Sequence, residues 1–145
     1  MSDISIVPAM RISASGLDAE SCRMEVIANN MANAQTTRGE NGKVFRRKEV
    51  IFAAKLASEI AADEKATRNL KGVQVKAIVE DSRPMQRVLR PGHPDADEEG
   101  YVTLPNINPV EEMVDMMSAS RAYEANLNAM RTARSMATQA IDMLK

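Results

Sequence analysis

The sequence predicts a mainly α-helical protein with a small β-rich middle, its N- and C-terminal helices pairing as an antiparallel coiled-coil hairpin. Three observations lead there. Met10, Leu17, Met24 and Met31 recur every seven residues near one end of the chain, and Met116, Tyr123, Met130, Ala137 and Leu144 do the same near the other. Seven-residue spacing keeps a stripe on one face of a helix, so each end presents a seam for a helical partner. Between the two ends, short apolar alternations separated by glycine- and proline-rich turns carry the two-residue period of strands.

Taken in order, the first element is a helix from about Pro8 to Ala34. Proline is tolerated in a first turn, where its missing N–H would have been unbonded anyway. Smaller residues, Val7, Ala14, Ser21 and Ala28, flank the methionine seam. A further series, Ile12, Ala19 and Val26, falls on the opposite face, which one partner helix cannot cover. Asn29, Asn30 and Asn33 need their own account, because Asn competes with the backbone inside helices. Either they mark a helix end with Asn near the C-cap, or their amides bond across to neighbouring helices and fix register.

Residues 35–43 are polar, hold Gly39 and Gly42, and read as a loop. Val44-Phe45 and Val50-Ile51-Phe52 flank Arg46-Arg47-Lys48-Glu49 and predict a strand pair or one bent strand. Residues 53–71 are rich in Ala, Lys and Glu, which predicts a short helix or a mobile insert. Gly72–Glu80, Met85–Arg90 and Tyr101–Leu104 read as strands, with a turn at Arg90-Pro91-Gly92-His93-Pro94. Asn108 followed by Pro109, with Glu111 three residues on, is a helix start: N-cap, first-turn proline and capping-box glutamate. The helix it opens runs to about Leu144, roughly 50 Å at 1.5 Å per residue. Residues 1–35 and 108–145 thus form a terminal-helix domain around a middle segment, 36–107.

Composition narrows the function classes. Lys and Arg total 19 against 20 Asp and Glu, a net charge of −1, so no general electrostatic case exists for nucleic acid or anionic lipid. Aromatic residues are 3% of the chain while Met numbers 11, so adaptable side chains replace rigid anchors. One cysteine, Cys22, excludes an internal disulfide and a Cys-rich zinc site. No apolar run reaches the roughly 18 to 20 residues of a membrane span. The first ten residues carry Asp3 and Pro8 without a basic-then-apolar pattern, so export, if any, is expected without a cleaved signal peptide.

Candidate chemical sites are few. His93 with Asp95, Asp97, Glu98 and Glu99 imitates the start of a calcium loop, but the twelfth position is Asn106, where a bidentate Glu is required. Cys22 lies far in sequence from the sole histidine, and the helical serines sit on no strand-to-helix elbow. No phosphate-binding glycine loop is present. Arg46-Arg47-Lys48 reads as a solvated strand face or a salt-bridge donor. The expectation is therefore a protein that is not an enzyme, with no catalytic, metal or cofactor site, no small-molecule substrate and no nucleic acid.

The last helix also carries Ala122, Ala129, Met136 and Met143, a second seven-residue series about 100° round from the first. Together with Ile12, Ala19 and Val26, this series calls for helices from neighbouring subunits. Repeated copies of one such heterologous contact build a helical array.

At this point the residues take on a family likeness. Ser15-Gly16-Leu17 leading through Arg23 to Ala28-Asn29-Asn30-Met31-Ala32-Asn33 resembles the N-terminal signature of the bacterial flagellar axial proteins, the rod and hook family. The run from Pro91 to Val102, then Pro105-Asn106-Ile107-Asn108, then Glu112 to Met117 and Ala119 to Asn126 resembles its proximal rod members, and Gly42 to Val50 agrees. Residues 53–71 match least, and Val44 stands where many relatives carry proline.

The resemblance implies a structural subunit of the basal-body rod in the periplasmic space. It also implies export through the flagellar type III apparatus, and helix-mediated polymerisation with its own copies, other proximal and distal rod proteins and the rod-base/membrane-ring junction, transmitting torque from motor to hook. Under that reading Met10, Leu17, Met24, Met31, Met116, Tyr123, Met130 and Leu144 form the intramolecular seam. Ile12, Val26, Asn29, Asn30, Asn33, Met136 and Met143 meet other subunits. The alternative is a cytoplasmic export chaperone or adaptor that grips amphipathic helices in a Met-rich groove.

Overall fold

A computed structural model describes residues 6–39, 42–55 and 72–143. It contains two long helices and two small antiparallel sheets. Helix α1 (Ile6–Ala32) is followed by strands β1 (Lys48–Lys55), β2 (Gly72–Glu80), β3 (Gln86–Leu89) and β4 (Tyr101–Leu104), and helix α2 (Pro109–Asp142) closes the chain. Strand β1 pairs with β2, and β3 with β4.

Helix α2 starts where its sequence says. Asn108 is the N-cap, with its Oδ1 accepting from the Val110 N–H at 3.1 Å, and Pro109 occupies the first turn. Glu111 does not reach back to the cap's backbone. It accepts instead from the Asn108 side-chain amide at 3.2 Å, holding the capping side chain from outside.

In the first sheet the register runs from Lys48 opposite Glu80 to Lys55 opposite Gly72. A bulge opposite Ile51 and Phe52 leaves Lys76 as the extra residue on β2. Val50 and Phe52 are half-buried while Glu49 and Ile51 are exposed, the alternation of a sheet covered on one face, and the cover is α1. The Val73 N–H donates to Ser15 Oγ of α1 at 3.1 Å, tying the far end of the sheet to the helix.

Two expectations for the middle change. Residues 44–47 are not a strand: the Arg47 carbonyl still accepts from the Asp81 N–H at 2.8 Å at the end of the β1–β2 ladder, but its N–H turns to Asn106 Oδ1 at 3.0 Å. Ala53–Lys55 extend β1, paired with Gly72–Gln74, in place of the expected helix, and the rest of that insert lies outside the described residues. The acidic run before β4 is a hairpin turn. Asp97 Oδ1 accepts from the N–H groups of Glu99 and Tyr101, and Gly100 takes the left-handed φ of 81° that a side chain would strain.

The helices lie antiparallel, with Gly16 against Asn126 and Asn30 against Glu112. Small residues set their spacing. The buried apolar residues are Ala19, Ile27, Val102, Ile107, Ala119 and Ala133, so alanine lines the contact in place of methionine. A Cβ on Gly16 would stand 2.9 Å from the Asn126 amide, whose Nδ2 donates to Ala122 O at 3.0 Å. Gly16→Leu is expected to cost about 1–3 kcal/mol through overpacking. Gly16→Ala should be close to neutral, since its gain in helix propensity of about 1 kcal/mol offsets a small shift of the Asn126 tip. Urea unfolding of both variants checks the contrast.

Candidate functional site

The residues singled out from the sequence lie on the two helices, whose faces follow from what each touches. Among the described elements, helix α2 packs mainly on α1. Its covered stripe is correspondingly narrow: Glu112, Ala119 and Ala133 are buried, Asn126 is half-buried, and Met116, Tyr123, Met130 and Ala137 are half-buried beside them. The last four are the methionine-tyrosine series read from the sequence. Leu144, its final member, lies outside the described residues.

Helix α1 has two partners, α2 and the β1–β2 sheet, so its covered arc is wider and differently aimed. The buried positions are Gly16, Ala19, Ile27 and Asn30. At 100° per residue their centre is roughly a third of a turn, about 120°, from the Met10, Leu17, Met24 stripe. Those three sit half-buried at the edge, and Met31 is 37% exposed. The expected seam on α1 is revised accordingly. Ala19, read as facing outward, is buried, and Ile12 and Val26 are half-buried, with Val26 lining a cleft beside Ile27, Val50 and Phe52. On α2, Met136 and Met143 are exposed at 51% and 82%.

The asparagines divide between the two accounts. Asn33 secures the helix end: its Nδ2 donates to Asn29 O at 2.9 Å, its Oδ1 accepts from Thr36 Oγ1, and its N–H bonds the Asn29 and Asn30 carbonyls. Asn29 is exposed. The Asn30 amide is engaged inside the chain. Fully buried, it accepts the Lys48 N–H on Oδ1 and donates Nδ2 to the Lys48 carbonyl, both at 2.9 Å, as a neighbouring strand's peptide would. The same Nδ2 donates to Glu112 Oε2 at 3.0 Å. One side chain thus joins α1, the start of β1 and the first turn of α2.

Arg47 completes this clamp. Its Nε donates to Glu112 Oε1 at 2.5 Å, Nη1 pairs with Glu49, and Nη2 donates to Asp115 Oδ2 at 3.2 Å. Asp81 Oδ2 lies 3.7 Å away. Burial works against the guanidinium's charge, but the bond to Glu112 and the fields of Glu112 and Glu49 outweigh it and hold the Arg47 pKa above the ordinary arginine value. Asp81 is held below the usual carboxylate value by the Arg83 N–H, against the effect of burial, and by the Arg83 and Arg47 charges. Asn106 binds the loop over the top, donating to the carbonyls of Asp81 and Arg83. Of the basic triplet, Arg47 is therefore the salt-bridge donor. Glu112 went unrecognised as its partner, although it sits seven residues before Ala119 on the covered stripe.

Among the described residues no group of His, Cys, Asp and Glu could hold a metal ion, and no helix is long and apolar enough to cross a membrane. His93 Nδ1 accepts from the Asp95 N–H at 3.1 Å, as a turn residue does.

Comparison with known proteins places this architecture. Residues 10–38 match the family described as flagella basal body rod protein, and residues 98–143 match the flagellar basal body rod FlgEFG protein C-terminal family. The flagellar basal-body rod protein FlgC of Borreliella burgdorferi is 39% identical over 146 residues, covering 94% of this chain and 96% of the relative. The chain belongs to the FlgC family of flagellar basal-body rod proteins. FlgC of Bacillus subtilis is 39% identical over 94% of the chain and 97% of its own length, and FlgC of Salmonella typhimurium is 42% identical over 86% and 87%. The two matches to family models fall on α1 with the turn after it, and on the β4–α2 segment, the parts that the Asn30–Glu112 bond joins.

Proposed function

We propose that this chain is a structural subunit of the basal-body rod. Its terminal helices, 1–35 and 108–145, act as an antiparallel coiled-coil hairpin that polymerises with copies of itself and other rod proteins. The middle segment, 36–107, braces the hairpin through the Arg47 clamp. No bond is made or broken; the work is to carry torque through close-packed helices, in a subunit that reaches the rod through the flagellar export apparatus.

The observation that carries this reading is the exposed apolar C-terminal end of α2. Helix α2 has 34 residues against 27 in α1, about 51 Å against 40 Å. The antiparallel register set by Asn30–Glu112 and Gly16–Asn126 brings Ile6 level with Met136. From there on, Met136, Ile141 and Met143 are exposed at 51%, 60% and 82%. Large apolar side chains in that concentration mark a surface that another helix covers.

The experiment is Met136→Glu with Met143→Glu. Because both positions are exposed, unfolding stability is expected to change by less than about 0.5 kcal/mol. Swimming in soft agar should be abolished, and the variant should be missing from washed basal bodies. Normal swimming with normal incorporation would overturn the proposal.

A further inference from the structure

One charged feature is used by neither the clamp nor the helix faces. Behind the end of α1, a cleft of about 1120 Å³ is lined by Arg38, Lys43, Arg46 and Lys48, with Glu80 the one acidic side chain among the described residues that line it. The Arg46 guanidinium donates to the Asp81 carbonyl at 3.2 Å, and Lys48 lies 5.4 Å from the Phe45 ring centroid, so neither charge is neutralised by those contacts. Arg38 shares Asp95 at 3.7 Å, with its side chain 72% exposed. The opening is far larger than an ion needs and suits a loop.

Next to it stands the opposite charge. The β3–β4 turn holds Asp95, Asp97, Glu98 and Glu99, and it abuts the basic cleft directly, with Thr37 Oγ1 donating to Asp95 Oδ2 at 2.8 Å. Arg38 and Gly42 line both the basic cleft and a second cleft that Asp95 and Asp97 share. Within the chain, Asp95 is held by Thr37 and Arg38, while Asp97 is held by Arg87 and by backbone N–H groups, which keep its carboxyl below the usual range. Glu98 is exposed, and the Glu99 side chain is 75% exposed at 3.9 Å from Arg87. The turn therefore keeps surplus negative charge beside a cleft with surplus positive charge.

A surface with its two signs side by side is complementary to a second copy of itself, displaced along the line joining them. We propose that the acidic β3–β4 turn of one subunit, through Glu98 and Glu99, docks into the basic cleft of Arg38, Lys43, Arg46 and Lys48 of a neighbouring copy. It forms a lateral electrostatic contact distinct from the helix seam. This rests on the rod reading above.

Charge exchange and cross-linking in the assembled structure test it. Lys43→Glu with Lys48→Glu is expected to shrink the swimming ring by at least half, and Glu98→Lys with Glu99→Lys to do the same. All four changes in one chain should restore most of the loss. Separately, a chain carrying Lys43→Cys is co-expressed with one carrying Glu98→Cys, both with Cys22→Ser. Oxidised washed basal bodies should then yield a dimer-sized band that neither cysteine chain yields alone. Failure of the exchange to restore swimming together with absence of the band, while the unaltered chain is present in washed basal bodies, would overturn the contact and leave the rod reading standing. Absence of the unaltered chain from those basal bodies would overturn both.

Discussion

Glu112→Ala is expected to lower unfolding stability by about 3–4 kcal/mol, within the range for breaking a buried ion pair from one side. Glu112 is fully buried, with both carboxylate oxygens used: Oε1 by Arg47 at 2.5 Å and Oε2 by Asn30 at 3.0 Å. Removing it strands the Arg47 guanidinium, 10% exposed, and one Asn30 donor. The remaining carboxylates keep the loss from the top of the range, because Glu49, Asp81 and Asp115 still surround the cation. They compensate it less well, since Asp115 and Glu49 are 39% and 51% exposed and partly screened by water. Glu112→Gln should cost less, about 1.5–3 kcal/mol, because it keeps the shape and an acceptor while losing the charge. The double variant Arg47→Met with Glu112→Leu should recover much of the loss. It removes both charges together, and Asp81 and Asp115 retain Arg83 and Arg23 as cationic neighbours. Urea unfolding of the four chains separates the alternatives. Equal loss in the single and double variants would mean that Glu112 acts by packing alone.

The same clamp explains which parts of the fold could be read beforehand. Helix α2 was legible because its start is written in local chemistry, Asn108 then Pro109, and its stripe packs mainly on α1. Strand β2 occupies Gly72–Glu80 as its alternation predicts. The face of α1 was not legible in the same way. A helix held between another helix and a sheet buries an arc set by both, and methionines at seven-residue spacing point only at its edge. The junction itself was hidden for a different reason. Apolar periodicity finds cores made of apolar residues, whereas Asn30, Arg47, Asn106 and Glu112 are polar and buried. Read singly, an asparagine near a helix end, a basic triplet and a first-turn glutamate each have an ordinary surface explanation. Only their convergence, across 82 residues between Asn30 and Glu112, makes them a core. Met136 and Met143 are exposed at 51% and 82%, as their distance from the main stripe of α2 predicts.

Asn30→Ala is the second large effect expected, about 3 kcal/mol from stranded hydrogen-bonding groups that each cost about 1–3 kcal/mol when buried without a partner. Three groups lose their partner at once: the Lys48 N–H, the Lys48 carbonyl and Glu112 Oε2. Lys48 is half-buried, so water reaches part of its backbone and the three penalties do not add in full. Asn30→Asp discriminates between mechanisms. Aspartate retains an acceptor for the Lys48 N–H but replaces the donor to Glu112 with a second carboxylate about 3 Å from the first, which neither burial nor Coulomb repulsion tolerates. At neutral pH Asn30→Asp should therefore be at least as damaging as Asn30→Ala. Lowering the pH should narrow its deficit, since protonating either carboxyl restores a hydrogen-bond donor between them. Asn30→Ala introduces no such carboxyl pair, so its deficit should vary less. Measured from about pH 4 to 7, a deficit of the aspartate variant that stays constant would show that Asn30 contributes by its volume and not by joining helix, strand and helix through its amide.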